Sequence, residues 1–407
     1  MFLPRNLETS ILNAFCDFDV VYLNGARQCG KSTLAYMLQK KVSADFVTLD
    51  DYSTLMRAKN DPLSFLKQSP NKMLIIDEIQ LAPELFRPLK HVIDEQRITG
   101  TRSQFLLTGS INILNIPTLS EALVGRMAVK TLYPFSVSEV LSKNAPTFDD
   151  LFDLKIQNFK FEKMDWREMI QKATYPEMIK NKNINRYQWF DHYITTLLQR
   201  DVRSLANIEK ILEMPKLLRI LSTRVGGLSN DTNVAVDASL NLSTYRRYKT
   251  LLESVFLITY IEAWHTSLKK RLIKSPKLYF TDTALVSHLL KIKLEDLESS
   301  HPLYGHLFEN FVASELIKSL DPSRFKIFHY RDSNNVEVDF MIENQKGEVI
   351  GLEVKACVQL SRHDVKNLKI VQGSCPFKFG FVLHSGHDFY PICENIYALP
   401  ISFFQGM

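Results

Sequence analysis

The segment from Gly25 to Ser32 most constrains the fold of this chain, because its eight residues, GARQCGKS, match the pattern GxxxxGK[ST] without exception. An apolar run, DVVYLNG (19–25), precedes it, and a helix-like run, KSTLAYMLQKKV (31–42), follows it. Glycines let the backbone curl until successive N–H groups face one centre, and the N-terminal end of the following helix adds positive charge there. The sequence therefore predicts a loop that binds the phosphates of a nucleotide.

Within this loop, two side chains have separate predicted roles. Lys31 should reach the β and γ phosphates of ATP, and the hydroxyl of Ser32 should ligate Mg²⁺. ATP and Mg²⁺ are therefore the predicted cofactors. The residues predicted to form the ATP site are Gly25, Ala26, Arg27, Gln28, Cys29, Gly30, Lys31, Ser32, Thr33 and Thr108.

A second motif supplies carboxylates. The run KMLIIDEI (72–79) reads as a buried strand that ends in Asp77 and Glu78. A carboxylate at the end of a strand beside the phosphate loop can hold magnesium, so Asp77 is the second predicted metal ligand. Glu78 is predicted to orient or deprotonate the attacking water. Thr108 and Ser110 end a third apolar strand, where they could either sense the γ-phosphate or cap the strand.

Arg126, in the run SEALVGRM, completes the residues predicted to be catalytic together with Lys31 and Glu78. It could act as an arginine finger in cis or across the interface of a homo-oligomer. An ordinary surface or salt-bridged arginine is an equally good interpretation.

The order of apolar and helical runs predicts an α/β fold class. Strands separated by helical segments up to about residue 150 indicate a parallel sheet with helices on both faces. From 151 the pattern is helical, and after about 295 it mixes a helix with two strands joined by a turn. The basic run HTSLKKRLIKSPK, near 265–275, is interpreted as a hairpin-like break.

Charge is unevenly distributed along the chain. The net charge is +5 overall, but residues 200–295 hold 16 basic and 9 acidic residues, whereas 296–407 hold 10 basic and 14 acidic ones. A local excess of +7 favours DNA as a partner of 200–295, although a solvated helical face explains it equally well. Five scattered cysteines, no secretory leader and no long apolar run predict a cytoplasmic protein without a membrane segment.

Several runs together resemble a known family. GARQCGKSTL, IIDEIQLAPELFRPLKHVID, LLTGS, LVGRM and YPFSVSE, followed by YPEMI, YITTLLQRDV, VEVDFMI and GLEVK, are similar to prokaryotic AAA+-type predicted ATPases of the STAND-related branch. These proteins carry a C-terminal domain of unknown function. Cys29 stands where many members have a small apolar residue, which should not impair phosphate binding.

The resemblance implies four modules in order. They are an AAA+-like P-loop ATPase core at 1–150, a helical lid at 151–204, a winged-helix-like module at 205–270, and a PD-(D/E)XK, restriction-endonuclease-like α/β domain at 271–407. In the winged-helix-like module, the run LSTYRRYKTLLESVFLITYIE (242–262) predicts a helix that begins at Ser243. Arg246, Arg247 and Lys249 lie early on that helix and are the candidate DNA-binding residues. A module that binds protein is the alternative.

The last module carries a candidate nuclease site. Asp339 and the run Glu353-Val354-Lys355 lie on two strands joined by a turn around Gly347, and folding of this hairpin can bring them together. Asp339 and Glu353 are the predicted ligands of a second Mg²⁺, and Lys355 is predicted to activate water. Glu309, on the preceding helix, completes the catalytic set that the resemblance implies. Glu337 is expected to point the other way from Asp339.

Two functions remain open from the sequence. In the first, an ATPase couples its nucleotide state to DNA binding or processing through the nuclease-like domain. In the second, the chain is a nucleotide switch or scaffold of the STAND kind, and the nuclease-like domain is inactive and binds a partner. A role in a defence or toxin-related system is a weaker third idea.

Overall fold

A parallel sheet of five strands forms the first part of the molecule. The computed structural model describes residues 2–100, 103–110, 123, 125–181, 183–202, 211–375 and 377–406. The five strands are β1 (Val20–Gly25), β2 (Ala44–Thr48), β3 (Met73–Asp77), β4 (Phe105–Thr108) and β5 (Met127–Leu132). Their order in the sheet is β2-β3-β4-β1-β5, and all neighbours are parallel. The predicted α/β class with a parallel sheet is confirmed.

Helices cover both faces of this sheet. β1, β3 and β4 are buried along their whole length, which explains why their sequences are continuous apolar runs. The helices of this part are α1 (Leu7–Asp17), α2 (Lys31–Gln39), α3 (Tyr52–Asn60), α4 (Pro62–Leu66), α5 (Phe86–Thr99), α6 (Val137–Val140) and α7 (Asp149–Phe152). The strand order places β4 between β3 and β1, so the polar residues that end these three strands meet at one edge.

A helical region follows, as the sequence predicts. Its helices are α8 (Trp166–Lys172), α9 (Pro176–Lys180) and α10 (Arg186–Thr196), and α10 continues into a π-helical segment, Leu197–Val202. Such wide turns are rare and occur often at functional sites. The predicted boundary between 204 and 205 lies outside the described residues and stays a prediction.

The next part combines three helices with a small sheet. The helices are α11 (Met214–Ser222), α12 (Asp231–Asp237) and α13 (Leu242–Ser254). β6 (Ile258–Ile261) and β7 (Lys277–Phe280) pair antiparallel, and between them lies the helix α14 (Leu268–Ile273) where the sequence was interpreted as hairpin-like. α13 begins one residue before Ser243, because the side chain of Asn241 caps it by accepting the N–H of Thr244.

A second sheet forms the C-terminal part. After α15 (Thr283–Leu289) and α16 (Tyr304–Ser319), six strands pack in the order β12-β13-β11-β10-β9-β8. They are β8 (Phe325–Arg331), β9 (Glu337–Asn344), β10 (Val349–Lys355), β11 (Gly380–His384), β12 (Tyr390–Cys393) and β13 (Ile396–Pro400), with α17 (Lys366–Ser374) before β11. The predicted hairpin around Gly347 joins β9 to β10.

The parts are joined by a continuous hydrophobic core. Buried side chains of the first sheet, the helical region, α11 to α13 and α16 are in contact with one another, including Leu23, Tyr175, Leu217 and Phe308. The predicted boundary between 270 and 271 would separate two hydrogen-bonded strands, β6 and β7. Among the described residues, the structure contains no helix that is both long enough and apolar enough to cross a membrane.

Candidate functional site: a nucleotide loop and a distant acidic cluster

The loop from Gly25 to Ser32 has the tight backbone that its glycines predict. Gly25 has a φ of 146°, and a Cβ there would lie 2.0 Å from the carbonyl oxygen of Leu132 on β5. Gly30 has a φ of 100° and immediately precedes α2, so the loop ends at the N-terminus of this helix. Only glycine tolerates the first position, because the edge strand β5 leaves no room for a side chain.

Lys31 lies inside the curve of the loop. Its ammonium donates to the carbonyl oxygens of Gly25, at 3.0 Å, and of Ala26, at 2.9 Å, and the residue is buried. Ser32 and Thr33 follow it on the exposed side of the first turn of α2. The thiol of Cys29 instead turns toward the core and donates to the carbonyl of Leu132 at 3.2 Å, so it does not obstruct the loop.

Thr108 connects the two carboxylates that end β3. Its hydroxyl donates to Asp77 and accepts the backbone N–H of Glu78 at 3.2 Å, and both Thr108 and Asp77 are buried. The contact between Thr108 and Asp77 follows from the strand order, because β4 lies directly beside β3. The structure thus brings Asp77, Glu78 and Thr108 together at the same sheet edge as the loop. The oxygen donors Ser32 and Asp77 fit magnesium, which prefers hydroxyl and carboxylate ligands.

Glu78 is held in a constrained position. Its φ of 59° places it in the left-handed region, where a residue with a side chain is uncommon, and its carboxylate accepts a hydrogen bond from Gln80. Burial raises the pKa of Glu78, an effect that Gln80 and Lys31 oppose. A strained, partly desolvated carboxylate beside the phosphate loop is the arrangement expected of a general base.

An ion pair links the loop to the helical region. Arg27 donates from Nη1 to Oδ1 of Asp201 at 2.6 Å, and Asp201 lies on the π-helical segment. The Asp201 side chain is only 7% exposed. Tyr193 of α10 also donates to the carbonyl of Arg27, at 3.4 Å. A change in the loop that moves Arg27 would therefore act directly on the end of the helical region.

Arg126 lies in an ion pair within its own domain. Its Nε contacts Oδ1 of Asp94 at 2.7 Å, and its side chain is 24% exposed. The pair is compatible with an ordinary salt-bridged arginine, and its role as a finger stays a prediction.

Two of the three candidate DNA-binding residues contact one carboxylate. Arg246 lies 3.4 Å and Lys249 3.2 Å from Asp231 on the neighbouring helix α12. Lys249 also lies over the ring of Tyr260, with its nitrogen 3.9 Å from the ring centroid. Arg246 and Arg247 are exposed. The basic face is thus partly neutralised by the protein itself.

The C-terminal carboxylates converge, but on a lysine. Nζ of Lys277 lies 2.9 Å from Glu309, 3.1 Å from Asp339 and 2.5 Å from Glu337. The expectation that Glu337 points away from Asp339 is wrong. The two residues are two apart on one strand, so their side chains project to the same side. Asp339 also accepts the N–H of Val354 at 2.9 Å.

Glu353 and Lys355, two residues apart on β10, form a pair of their own. Nζ of Lys355 lies 2.9 Å from Oε1 of Glu353, whose second oxygen is buried without a hydrogen-bond partner among the described residues. Burial, followed by the charge of Asp339, raises the pKa of Glu353 to about 8. The same two causes raise the pKa of Glu309 to about 7. Both carboxyls therefore favour their protonated forms more than free glutamate does.

Sequence reasoning did not identify Lys277, Asp201 or Gln80. Lys277 opens the short strand KLYF, and a lysine that begins an otherwise apolar, buried strand is an unusual signal that could have marked it. Asp201 carries no comparable signal, because the fold brings Arg27 to it from 174 residues away. Gln80 lies only two residues after Glu78, but no pattern in that run marks it.

Family models match three separate segments of the chain. Residues 17–141 match a family described as "AAA domain", and residues 163–296 and 304–404 match two families that are each described as a domain of unknown function. An uncharacterized protein of Mycobacterium tuberculosis and one of Mycobacterium bovis are each 26% identical over 387 residues, which is 94% of this chain and 80% of each relative.

Among solved structures, a Walker-type ATPase of Pyrococcus abyssi is 12% identical and has a TM-score of 0.40, over 71% of this chain and 96% of that one. The family match covers both nucleotide motifs, and the sheet edge on which Asp77, Thr108 and the phosphate loop meet is the one that the motifs require. Residues 17–141 thus match the model of an AAA domain, and they fold as the parallel α/β sheet with a phosphate-loop backbone between β1 and α2.

Proposed function

We propose that this chain hydrolyses ATP and works as a nucleotide switch, in which the occupied loop changes its contact with the helical region. The observation that carries this proposal is the ion pair between Arg27 and Asp201, at 2.6 Å. Arg27 belongs to the loop itself. Phosphates that draw the loop N–H groups together therefore move Arg27 and, through the ion pair, Asp201. This favours the switch among the two functions that the sequence leaves open.

The residues at the sheet edge divide the work of hydrolysis. Lys31 exchanges the carbonyl oxygens of Gly25 and Ala26 for phosphate oxygens, which are stronger acceptors. Ser32 and Asp77 would hold magnesium, which neutralises charge that develops on the phosphates. Glu78 takes the proton of the attacking water, and Thr108 keeps Asp77 and Glu78 in register.

Two contacts connect the helical region and the ATPase to the rest of the chain. Asp191 on α10 lies 3.0 Å from Nε2 of His288 on α15. Oε2 of Glu315 on α16 accepts the N–H of Val137, at 2.8 Å, at the start of α6. Because α10 continues into Leu197–Val202, a displacement of that segment should reach α15 through Asp191 and His288.

Hydrolysis is tested with two substitutions. Glu78→Gln should retain ATP binding and lose at least about 100-fold in turnover, since general base catalysis contributes about 10²–10⁴-fold. Lys31→Ala should lose ATP binding itself. Calorimetric titration and phosphate release give the two readouts, and full turnover in Glu78→Gln would remove Glu78 from the mechanism.

The switch is tested by amide hydrogen exchange in Glu78→Gln with ATP or ADP. Exchange at 197–202 should depend on the nucleotide, and Arg27→Ala should abolish that dependence. The nucleotide should still bind, because the predicted loop contacts come from backbone N–H groups, which alanine keeps. Arg97→Ala is the matched control, because Arg97 pairs with Asp19 at the opposite end of β1. Nucleotide-dependent exchange that persists in Arg27→Ala would contradict the proposal.

DNA binding is the second candidate function. It is favoured by the exposed Arg246 and Arg247 on α13. If DNA binds there, Arg246→Ala combined with Arg247→Ala should weaken duplex binding. The number of phosphate contacts, given by the slope of log affinity against log salt concentration, should fall by about two. Fluorescence anisotropy at several salt concentrations measures both. Lys326→Ala, an exposed lysine on β8, is the control. Binding that is unchanged in the double variant would place DNA elsewhere, and no duplex binding by the intact chain would exclude DNA as a partner.

A further inference from the structure

The acidic cluster of the C-terminal part surrounds an ammonium group that belongs to a different sheet. Lys277 is the first residue of β7, which pairs with β6, whereas Glu337 and Asp339 lie on β9 of the C-terminal sheet. Glu309, on α16, is the third carboxylate. The side chain of Lys277 is only 2% exposed. A buried lysine at the meeting point of two sheets needs partners, and it has three.

Three carboxylates surround the ammonium of Lys277, two of them as hydrogen-bond acceptors. A lysine ammonium has three N–H donors, and its nitrogen lies 2.5–3.1 Å from one oxygen each of Glu309, Glu337 and Asp339. Tyr279, two residues further along β7, donates to the same oxygen of Glu309 at 2.7 Å. Burial opposes the charged lysine, but Asp339, Tyr279 and the two glutamates together raise the pKa of Lys277. Lys277 therefore stays charged in this position.

Backbone packing closes the same site from the other side. Gly226 has a φ of 75°, and a Cβ there would lie 3.1 Å from Oε2 of Glu309. Its N–H donates to the carbonyl of Leu278 on β7, at 2.8 Å, which fixes this loop against the strand that carries Lys277. The carboxylate of Glu309 is thus enclosed by Lys277, Tyr279 and the glycine backbone.

These contacts do not fit the magnesium that a PD-(D/E)XK site would use. Magnesium needs oxygen ligands at about 2.1 Å in octahedral geometry, and the ammonium of Lys277 occupies the place between Glu309 and Asp339. Glu353 pairs with Lys355, and both oxygens of Asp339 already accept hydrogen bonds. In the described part of the chain, no group of three or more His, Cys, Asp or Glu residues is arranged to hold a metal ion.

We propose that Lys277 is the resident cation of this acidic site, where it replaces a divalent metal and fastens the β6–β7 sheet to the C-terminal sheet. The site then serves as a latch between two parts of the chain and does not cleave nucleic acid. The proposal stands apart from ATP hydrolysis, because none of its residues lies at the nucleotide loop.

Metal binding separates this proposal from a nuclease site. Electron paramagnetic resonance measures free Mn²⁺, and its signal falls when the ion binds. The nucleotide-free full chain should not lower this signal through binding at this site. Lys277→Met leaves the carboxylates without their cation and should gain one bound Mn²⁺ per chain, which adding Asp339→Asn should abolish. Mn²⁺ binding by the unsubstituted chain that is lost in Asp339→Asn would overturn the proposal. So would the absence of any gain in folded Lys277→Met.

Thermal unfolding covers the case in which Lys277→Met folds poorly. Uncompensated buried carboxylates should lower its Tm, and Glu309→Gln together with Asp339→Asn should restore the Tm in the Lys277→Met background. A triple variant that is no more stable than Lys277→Met would contradict the latch. In parallel, the full chain is incubated with single-stranded, duplex and branched DNA and Mn²⁺. Cleavage that disappears in Asp339→Asn and in Glu353→Gln would overturn the proposal, and the expected result is no such cleavage.

Discussion

Removing Arg27 should loosen the end of the helical region more than removing any exposed arginine nearby. Two unit charges about 4 Å apart attract by about 4 kcal/mol at an effective dielectric constant of about 20. Desolvation offsets much of this in the intact pair, but Arg27→Ala leaves the carboxylate of Asp201, 7% exposed, without that partner. Breaking a buried pair from one side costs about 3–5 kcal/mol. We expect about 3 kcal/mol, because Asp201 can take up a proton.

The complementary substitution should cost less. Asp201→Asn keeps an acceptor for Arg27, whose side chain is 22% exposed and can be solvated, so the loss should be about 1 kcal/mol. The double variant should lose less than the sum of the two, with a coupling energy of about 2 kcal/mol. Local opening free energies from amide exchange at 197–202 measure all three. Arg324→Ala is the control, since Arg324 and Asp149 form an exposed pair worth less than about 1 kcal/mol.

The sign of a pH dependence provides a second check on the same pair. Burial raises the pKa of Asp201, and Arg27 opposes that effect. An acid whose pKa is raised by folding contributes stability that is present below its unfolded pKa and is lost as the pH rises through its folded pKa. The opening free energy of Arg27→Ala should therefore fall more steeply than that of the intact chain as the pH rises from 3.8, the ordinary value. Effects of Arg27→Ala and Asp201→Asn on the opening free energy that add to within about 0.5 kcal/mol, with no steeper pH dependence in Arg27→Ala, would refute the reasoning.

Three further predictions concern other parts of the molecule. Thr108→Val removes the hydroxyl that contacts both Asp77 and Glu78, so turnover should fall by about 10–100-fold with little change in ATP affinity, measured by phosphate release and calorimetry. If Arg126 is an arginine finger, Arg126→Ala should lose turnover while Asp94→Ala keeps it. If both variants lose the same amount in Tm and keep full turnover, the Arg126–Asp94 pair is structural. Because the pKa of Glu353 is raised to about 8 from 4.5, Tm should fall as the pH rises between these values, and Glu353→Gln should flatten that fall.

Most of the nucleotide site could be predicted because each of its motifs is a short run of residues. The spacing from Gly25 to Ser32 fixes a loop and the start of a helix, and the apolar strand before Asp77 fixes where that carboxylate emerges. The parallel strand pattern also predicts that the ends of β1, β3 and β4 meet at one edge. Thr108 is predicted because it ends a third apolar strand, and the structure places it against both carboxylates.

The C-terminal cluster shows the limit of such reasoning. The sequence pattern of Glu309, Asp339, Glu353 and Lys355 predicts a metal site, and the hairpin that should assemble it is present. What the pattern lacks is Lys277, which lies 32 residues before Glu309 and 62 before Asp339 and comes from a different sheet. A single inserted ammonium changes which ligand the same carboxylates can hold.

By itself, the sequence determined that this chain folds a parallel α/β sheet with a P-loop, because the motif geometry is set within a few covalently connected residues. Only the tertiary structure decided what that domain contacts. Arg27 and Asp201 are 174 residues apart, and no local pattern marks either one as the other's partner. Contacts of this kind depend on how preformed helices and sheets dock, which is governed by the shape of their buried faces and not by local spacing. The docking of these elements therefore decides both the partners of the nucleotide loop and the cation of the acidic site.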